Sequence, residues 1–399
     1  MTLQVLTNAR VIGHNGLQAV EISNGLITAI KPMTSFLTQG HFGIIQNMQE
    51  DWISLGGVDL QINGALGWAF PDLEPGHEPV LRKIGSFLWQ QGIDAFLPTL
   101  VTTALSNIHR ALGVLRSAAQ QPAGEEAQAA IWGAHLEGPC LNPAKRGAHP
   151  EAHLKPLSQE IMTQVLGDFA AQVRLVTLAP ELDETGGAIA ALIERGISVS
   201  LGHSLATAAQ AQQAFNQGAA MVTHAFNAMP GLHHREPGLL GAAIAHPNVF
   251  CGFIADGQHV CPTMLDILLR TSRGLPVHQS NLSFDASRHH LPGLFLVSDA
   301  LAPLGLPDGT YPWDERQIRV VRGTARLPDD TLSGTTLPLL EGVKNLVRWD
   351  LCSVPEAIAL ATEAPRQALG RPGIGVGQPA TLLRWRERDR QLTWQRLSV

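Results

Sequence analysis

Tyrosine is nearly absent from the sequence, one in 399 residues, aromatics make up only 5%, and basic residues are outnumbered by acidic ones, 28 against 34. A chain with no basic excess and few stacking side chains lacks the electrostatic footprint of a nucleic-acid binder. Any anionic ligand must therefore be held by a local cluster. Cysteine is scarce as well. Cys140, Cys251, Cys261 and Cys352 form no C-x-x-C pair, which speaks against a zinc knuckle or a disulfide framework and for reduced thiols. No apolar run reaches about 18 residues, and the opening stretch MTLQVLTNARVIGHNG lacks the charged-then-apolar order of a signal peptide. The expectation is a cytoplasmic protein with no membrane partner. What is plentiful is core-forming material: 45% of the residues are hydrophobic and 16% charged, the balance of a soluble globular protein.

Residues 1–50 carry short β signals, LQVLTNARVI and AVEISNGLITAI, the second broken by an Asn-Gly suited to a hairpin turn. From about 52 to 300, compact apolar runs alternate with helical stretches rich in Ala, Leu and Gln, the pattern of buried parallel strands and crossover helices. Candidate strands are 53–63, 92–100, 130–137, 173–180, 197–203, 219–224, 249–256 and 294–299, with helices such as 184–195, 205–217 and 262–272 between them. Eight strands over about 250 residues predict a (β/α)8 TIM-type barrel. An open doubly wound sheet is the alternative, but no G-x-G-x-x-G follows the first strand. Short strands return in RQIRVVRG, ATLLRW and QLTWQRL, so the expected organisation is a barrel over 52–314 beside a small β-sandwich domain built from 1–51 and 315–399, with a helix around 337–350.

In a parallel barrel the chemistry sits where strands end. The third strand ends in His135, Leu136 and Glu137, the fifth in Gly202 and His203, the sixth in Thr223 and His224, the seventh in Asp256 to His259, the eighth in Ser298 and Asp299. A single histidine at a strand end is more often a hydrogen-bonded structural residue than a ligand, and there are 16 histidines to distribute. Convergence changes the odds. Glu137, His203 and His224 come from three strands aimed at one mouth, and two imidazoles with a carboxylate suit a catalytic divalent metal such as zinc. Beside them Asp299 is placed to take a proton from an activated water and return it to a leaving group. His135 reads equally as a packed core histidine and as a partner to a ligand, while His14, His41, His77, His109, His246 and His278 read as structural or solvent-facing. The stretch GGVDLQING, 56–64, alternates strictly: Val58, Leu60 and Ile62 on one face, Asp59, Gln61 and Asn63 on the other. Its polar face is either solvated or the wall of a site.

With these residues in view, the chain resembles the N-acetylglucosamine-6-phosphate deacetylases of the amidohydrolase superfamily. The resemblance runs through GGVDLQING at 56, HLEGPCLNPAKRGAH at 135, SLGHSLATAAQA at 200, THAFNAMPGLHHREPGLLGA at 223, IADGQHV at 254, LVSDALAPLG at 296 and LSGTTLPLLEGVKNLV at 332. It implies the same barrel with a β-sandwich from both chain ends. It implies further that Glu137, His203 and His224 hold the metal, that Asp299 is the catalytic aspartate, and that His149 polarises the substrate carbonyl and holds the oxyanion. Substrate groups carried over are Ala148, His149, Asn227, Ala228, Arg235, Asp256 with His259, and Leu332, Ser333 and Gly334. Arg235 and His259 would clamp the phosphate, a guanidinium offering bidentate geometry to its oxygens. In the family that arginine tends to come from a neighbouring subunit, which implies a homodimer; the competing reading of Arg235 is an ion pair with Glu236.

The reaction implied is hydrolysis of N-acetyl-D-glucosamine 6-phosphate to D-glucosamine 6-phosphate and acetate. Rivals are the galactosamine epimer as substrate, another amidohydrolase such as a dihydroorotase or a deaminase, and, from a different class, a non-catalytic sugar-phosphate-binding barrel. Many amidohydrolases end the first strand in His-x-His, and those imidazoles hold one ion of a pair. Here the matching positions are Gln61 and Asn63, and neutral amides ligate zinc poorly, so one divalent ion per subunit is expected, Zn2+ or another such as Fe2+. Gln61 and Asn63 then become site wall, with Asp59 bracing the strand.

Overall fold

The computed structural model describes residues 3–36, 43–121, 126–184, 186–273 and 293–398. His41 and His278 lie outside them. Eight parallel strands form the barrel: Gly57–Ile62, Ile93–Val101, Ala134–Glu137, Val173–Leu178, Ser198–Leu201, Met221–Val222, Phe250–Phe253 and Leu294–Leu296, each hydrogen-bonded to the next. The ring closes beyond the eighth strand, where Asp299 N donates to Gln61 O at 2.9 Å and Asn63 N to Ala300 O at 2.7 Å. The predicted strands are all present; the second is shifted by one residue to Ile93–Val101 and the others are shorter than expected. The stretch 130–137 divides into Ala130–Ile131 and Ala134–Glu137, and 53–63 divides at Gly56.

Helices between the strands present one apolar stripe to the barrel. In Glu78–Gln90 the buried positions Leu81, Ile84, Gly85 and Leu88 repeat at i, i+3, i+4 and i+7. Ala208–Asn216 starts on a capping box in which Thr207 and Gln210 satisfy each other's backbone N–H. The last helix among the described residues, Val354–Ala368, also begins on a capping box, Ser353 with Glu356, and packs against both the first and last barrel strands.

The chain ends supply a sheet of their own. Gln4–Val11 pairs antiparallel with Leu17–Ser23 and parallel with Trp52–Leu55, and Trp52–Leu55 pairs antiparallel with Leu382–Arg388, which carries Gln391–Arg396. Gly56 is the joint between this sheet and the barrel: its N donates to Asp94 Oδ2 at 2.8 Å, and a Cβ there would collide with the Asp94 carboxylate. Arg366 and Arg396 donate to the same carboxylate at 3.0 and 2.9 Å, so one largely covered anion ties the barrel to the sheet.

A second small sheet was not separable in the sequence. Sequence periodicity assigned everything from 315 onward to the chain-end domain, but Arg316–Val321 pairs with Gly309–Trp313 and Thr324–Arg326, and the latter with Leu332–Thr335. Thr335 bridges to Ala300 just past the eighth strand, and Leu301, Ile318, Val320 and Ala325 form its core with Ala148 packed against it. This places the sheet at the barrel mouth.

Candidate active site

Strand direction puts the ends of all eight strands at one face, and there the polar side chains meet. Glu137 Oε1, His203 Nε2 and His224 Nε2 stand 3.0 to 3.2 Å from one another. Each of these residues is at most 5% exposed. Three of the residues that end strands, His203, His224 and Asp299, take left-handed backbone angles, φ 49°, 31° and 49°. Non-glycine residues adopt these rarely, and such strain collects where a side chain must be aimed rather than relaxed.

The protonation pattern follows from the partners. His203 Nδ1 lies 2.8 Å from the Lys145 carbonyl, which can only accept, so Nδ1 carries a proton and Nε2 is turned toward Glu137. His224 Nδ1 is buried with no hydrogen-bond partner. Burial works to raise the Glu137 carboxyl, but its contacts with His203 and His224 and the positive charge of the imidazole cluster outweigh it and hold it well below the usual range. For His224, burial works downward and the Glu137 carboxylate prevails, raising it. Two imidazole nitrogens 3.0 Å apart over one carboxylate need a positive charge among them, either a shared proton or a cation. The donor set, two imidazoles and a carboxylate, fits a divalent metal.

His149 also faces this centre. Its Nε2 lies 3.9 Å from Glu137 Oε2, and Glu137, His149 and His203 offer ligand atoms all within 4.8 Å. The two triples share Glu137 and His203 and differ in the third member. His224 is the nearer, and on its far side His149 faces Thr102, whose backbone N and hydroxyl lie 3.3 and 2.9 Å from Nδ1. Burial and the neighbouring His203 push His149 down to about 3, so it is neutral. Thr102 itself carried no signal in the sequence; its hydroxyl, which donates to Glu137 O at 3.1 Å, shows its place only in the fold.

Asp299 is bound by Asn63, whose Nδ2 donates to Oδ1 at 2.7 Å, while Gln61 Nε2 donates to Glu137 Oε1 at 2.9 Å. The polar face of GGVDLQING therefore meets both carboxylates. Burial, then the Glu137 charge, raise Asp299 to about 6 against the pull of His224, His259 and Asn63. Asp59 takes the bracing role: it accepts from Ser298 N at 3.2 Å and Gln61 N at 3.3 Å, across the closure of the barrel.

The remaining residues named from the sequence fall in two groups. Gly334 backs onto the Asp299 carbonyl so closely that a Cβ would lie 2.8 Å from it, beside Leu332 and Ser333. Ala148 O accepts from Arg316 at 2.8 Å, Asn227 Nδ2 donates to His224 O at 3.2 Å, and Ala228 O accepts from Ser204 N at 3.1 Å. All these line the loops around the centre. Asp256 and His259 pair with each other at 2.7 Å. Arg235, by contrast, is exposed, and its contacts within the chain are His233 and His234, not the Glu137 cluster. Glu236 caps a helix by accepting from Ala208 N rather than holding Arg235. His135 is a core histidine between Thr99 and Thr177, pushed down to about 4 by burial. Glu181 was missed in the sequence and ties three loops, accepting from Asn142, Ser204 and Leu205 next to His203.

No family model matches the chain. It is 38% identical over 327 residues to the N-acetylglucosamine-6-phosphate deacetylase of Bos taurus, covering 79% of this chain and 74% of that one. It is 31% identical over 355 residues to the N-acetylgalactosamine-6-phosphate deacetylase of Escherichia coli O157:H7, covering 89% and 86%. Among solved structures, a mutant N-acetyl-D-glucosamine-6-phosphate deacetylase from Mycobacterium smegmatis in complex with N-acetyl-D-glucosamine-6-phosphate superposes with a TM-score of 0.80 at 26% identity, over 98% of this chain and 96% of that one.

Proposed function

The chain belongs to the N-acetylglucosamine-6-phosphate deacetylase family of the amidohydrolase superfamily, and on that premise we propose that it hydrolyses N-acetyl-D-glucosamine 6-phosphate to D-glucosamine 6-phosphate and acetate. The observation that carries this is the meeting of Glu137, His203 and His224 beside Asp299 at one barrel mouth. A divalent metal held by Glu137, His203 and His224, with zinc the expected ion, supplies Lewis acidity to the acetamide carbonyl and acidity to water. Asp299 takes the proton from the attacking water as the new C–O bond forms. His149 Nε2–H donates to the oxygen that gains charge as the carbonyl carbon becomes tetrahedral. Asp299 then gives its proton to nitrogen as the C–N bond breaks, and the amine and acetate leave.

Substrate recognition in this reading falls to Ala148, Asn227, Ala228, the Asp256 and His259 pair, and Leu332 to Gly334. Arg235, exposed on its own subunit, reaches the phosphate in a partner's site, so the working unit is a homodimer; His259 completes the clamp from within. Among the described residues no helix is long and apolar enough to cross a membrane. Free thiols at Cys140, Cys251, Cys261 and Cys352 support a cytoplasmic setting.

The likeness to an N-acetylgalactosamine-6-phosphate deacetylase favours one second reading, in which the C4 epimer is the better substrate. Acetate release from both epimers tests the two together. A kcat/KM at least tenfold higher for the glucosamine substrate supports the first reading, the reverse ratio supports the second, and no acetate from either removes both.

A further inference from the structure

We infer that the amide oxygen of Asn63 is the acceptor for the N–H of the scissile acetamide, and so fixes the side from which that nitrogen is protonated. The inference rests on the deacetylase reading above. Asn63 closes the first strand and is fixed by its backbone: its N donates to Ala300 O at 2.7 Å and its O accepts from Phe70 N at 3.0 Å. The residue is 4% exposed. Its Nδ2 donates to the Asp299 carboxylate at 2.7 Å, and its Oδ1 is buried with no hydrogen-bond partner. The assignment of the two amide atoms is not arbitrary, because turning the amide would set its oxygen against a carboxylate oxygen.

A buried acceptor without a donor costs stability, and in native proteins such groups are few. Two other side-chain atoms share this condition among the described residues. His224 Nδ1 belongs to an imidazole of the Glu137 cluster, and Gln172 Oε1 lies ahead of the fourth strand, away from the strand ends where the chemistry sits. Asn63 Oδ1 alone is one amide's width from the catalytic carboxylate.

The chemistry of the substrate matches that position. A secondary acetamide offers one N–H donor. When the carbonyl carbon becomes tetrahedral the nitrogen becomes pyramidal, and the C–N bond breaks only if its new lone pair points at the proton Asp299 carries. An acceptor that grips the N–H, set beside Asp299 on the same amide that holds Asp299, leaves the nitrogen one orientation: N–H toward Asn63, lone pair toward Asp299. The same two groups then face the product amine, which has donors for both.

The test compares the amide substrate with its oxygen isostere, 2-O-acetyl-D-glucose 6-phosphate, an ester with no N–H. Asn63→Leu keeps the volume and removes both hydrogen bonds; Asn63→Ala serves if the larger side chain prevents folding. Loss of the contact to Asp299 affects both substrates, so the diagnostic quantity is the ratio of the two losses. The expected result is that kcat/KM falls at least about tenfold more for the amide than for the ester, and continuing ester hydrolysis certifies the fold. Equal losses overturn the inference and assign Asn63 to Asp299 alone. Failure of the wild-type enzyme to release acetate from the amide overturns the deacetylase reading itself, and this inference with it.

Discussion

At the scale of single residues, the proposed reaction divides the proton work between Asp299 and His149. Asp299 is held at about 6 chiefly by burial and the Glu137 charge, so near neutral pH it is a carboxylate with real affinity for a proton. Below that value the base is already protonated, and kcat/KM is expected to fall on the acid side with a midpoint no higher than about 6; a rate that climbs as pH drops from 7 to 5 contradicts the assignment. Asp299→Asn keeps the shape and loses the proton acceptor. We expect that variant to retain its metal by elemental analysis and to lose at least about 100-fold in kcat, the usual share of a general base; near-normal turnover would refute the role. The strand-end residues were legible because a barrel directs every strand terminus to one face and their side chains titrate or ligate. Thr102 and Glu181 were not, because a threonine or glutamate in a loop acquires meaning only from the atoms that folding brings to it, His149 Nδ1 in one case and Ser204 in the other.

Among the elements, the first barrel strand shows how alternation becomes chemistry. Val58, Leu60 and Ile62 enter apolar clusters, while Asp59 joins the barrel seam and Gln61 and Asn63 hold Glu137 and Asp299. Burial raises Asp59 from 3.8 to about 7 against hydrogen bonds from Ser298 and Gln61. Because the folded value lies above the unfolded one, the folded chain holds the extra proton. Its contribution is whole below about pH 4 and is lost as pH rises through 7. Asp59→Asn keeps the accepting oxygen and carries no charge, so relative to wild type its unfolding free energy, measured by denaturant titration, should improve between pH 5 and pH 8, at no more than about 1.4 kcal/mol per pH unit. A steady or opposite difference would mean that Asp59 is not the titrating group. Elements as such were readable from period and composition; their partners were not. The strand at Arg316–Val321 has the alternation of any sheet edge, and nothing in it says that it belongs over Ala148 rather than with the chain ends.

For the whole molecule, the proposed assembly and the metal count follow from what one chain leaves incomplete. Arg235 has no contact with the Glu137 cluster of its own chain, so a phosphate site that uses it must draw it from a second copy. Mixing the inactive variants Arg235→Ala and Asp299→Asn after dissociation should restore about one quarter of wild-type activity, since half of the dimers are hybrids with one intact site; no recovery would place Arg235 outside the partner's site. The barrel was legible as a whole because eight apolar runs in 250 residues admit few architectures, whereas a dimer is written only in the surface that two copies share. The stoichiometry of the metal tests the account at its centre: in the proposed reading Glu137, His203 and His224 form one ion's ligand set, while Gln61 and Asn63 donate to carboxylates instead of holding a second ion. The direct measurement is acetate release from N-acetyl-D-glucosamine 6-phosphate by metal-free enzyme titrated with zinc. Activity that rises to a plateau at one equivalent per subunit is the predicted result; no acetate at any loading, or activity that appears only as a second equivalent binds, would contradict it.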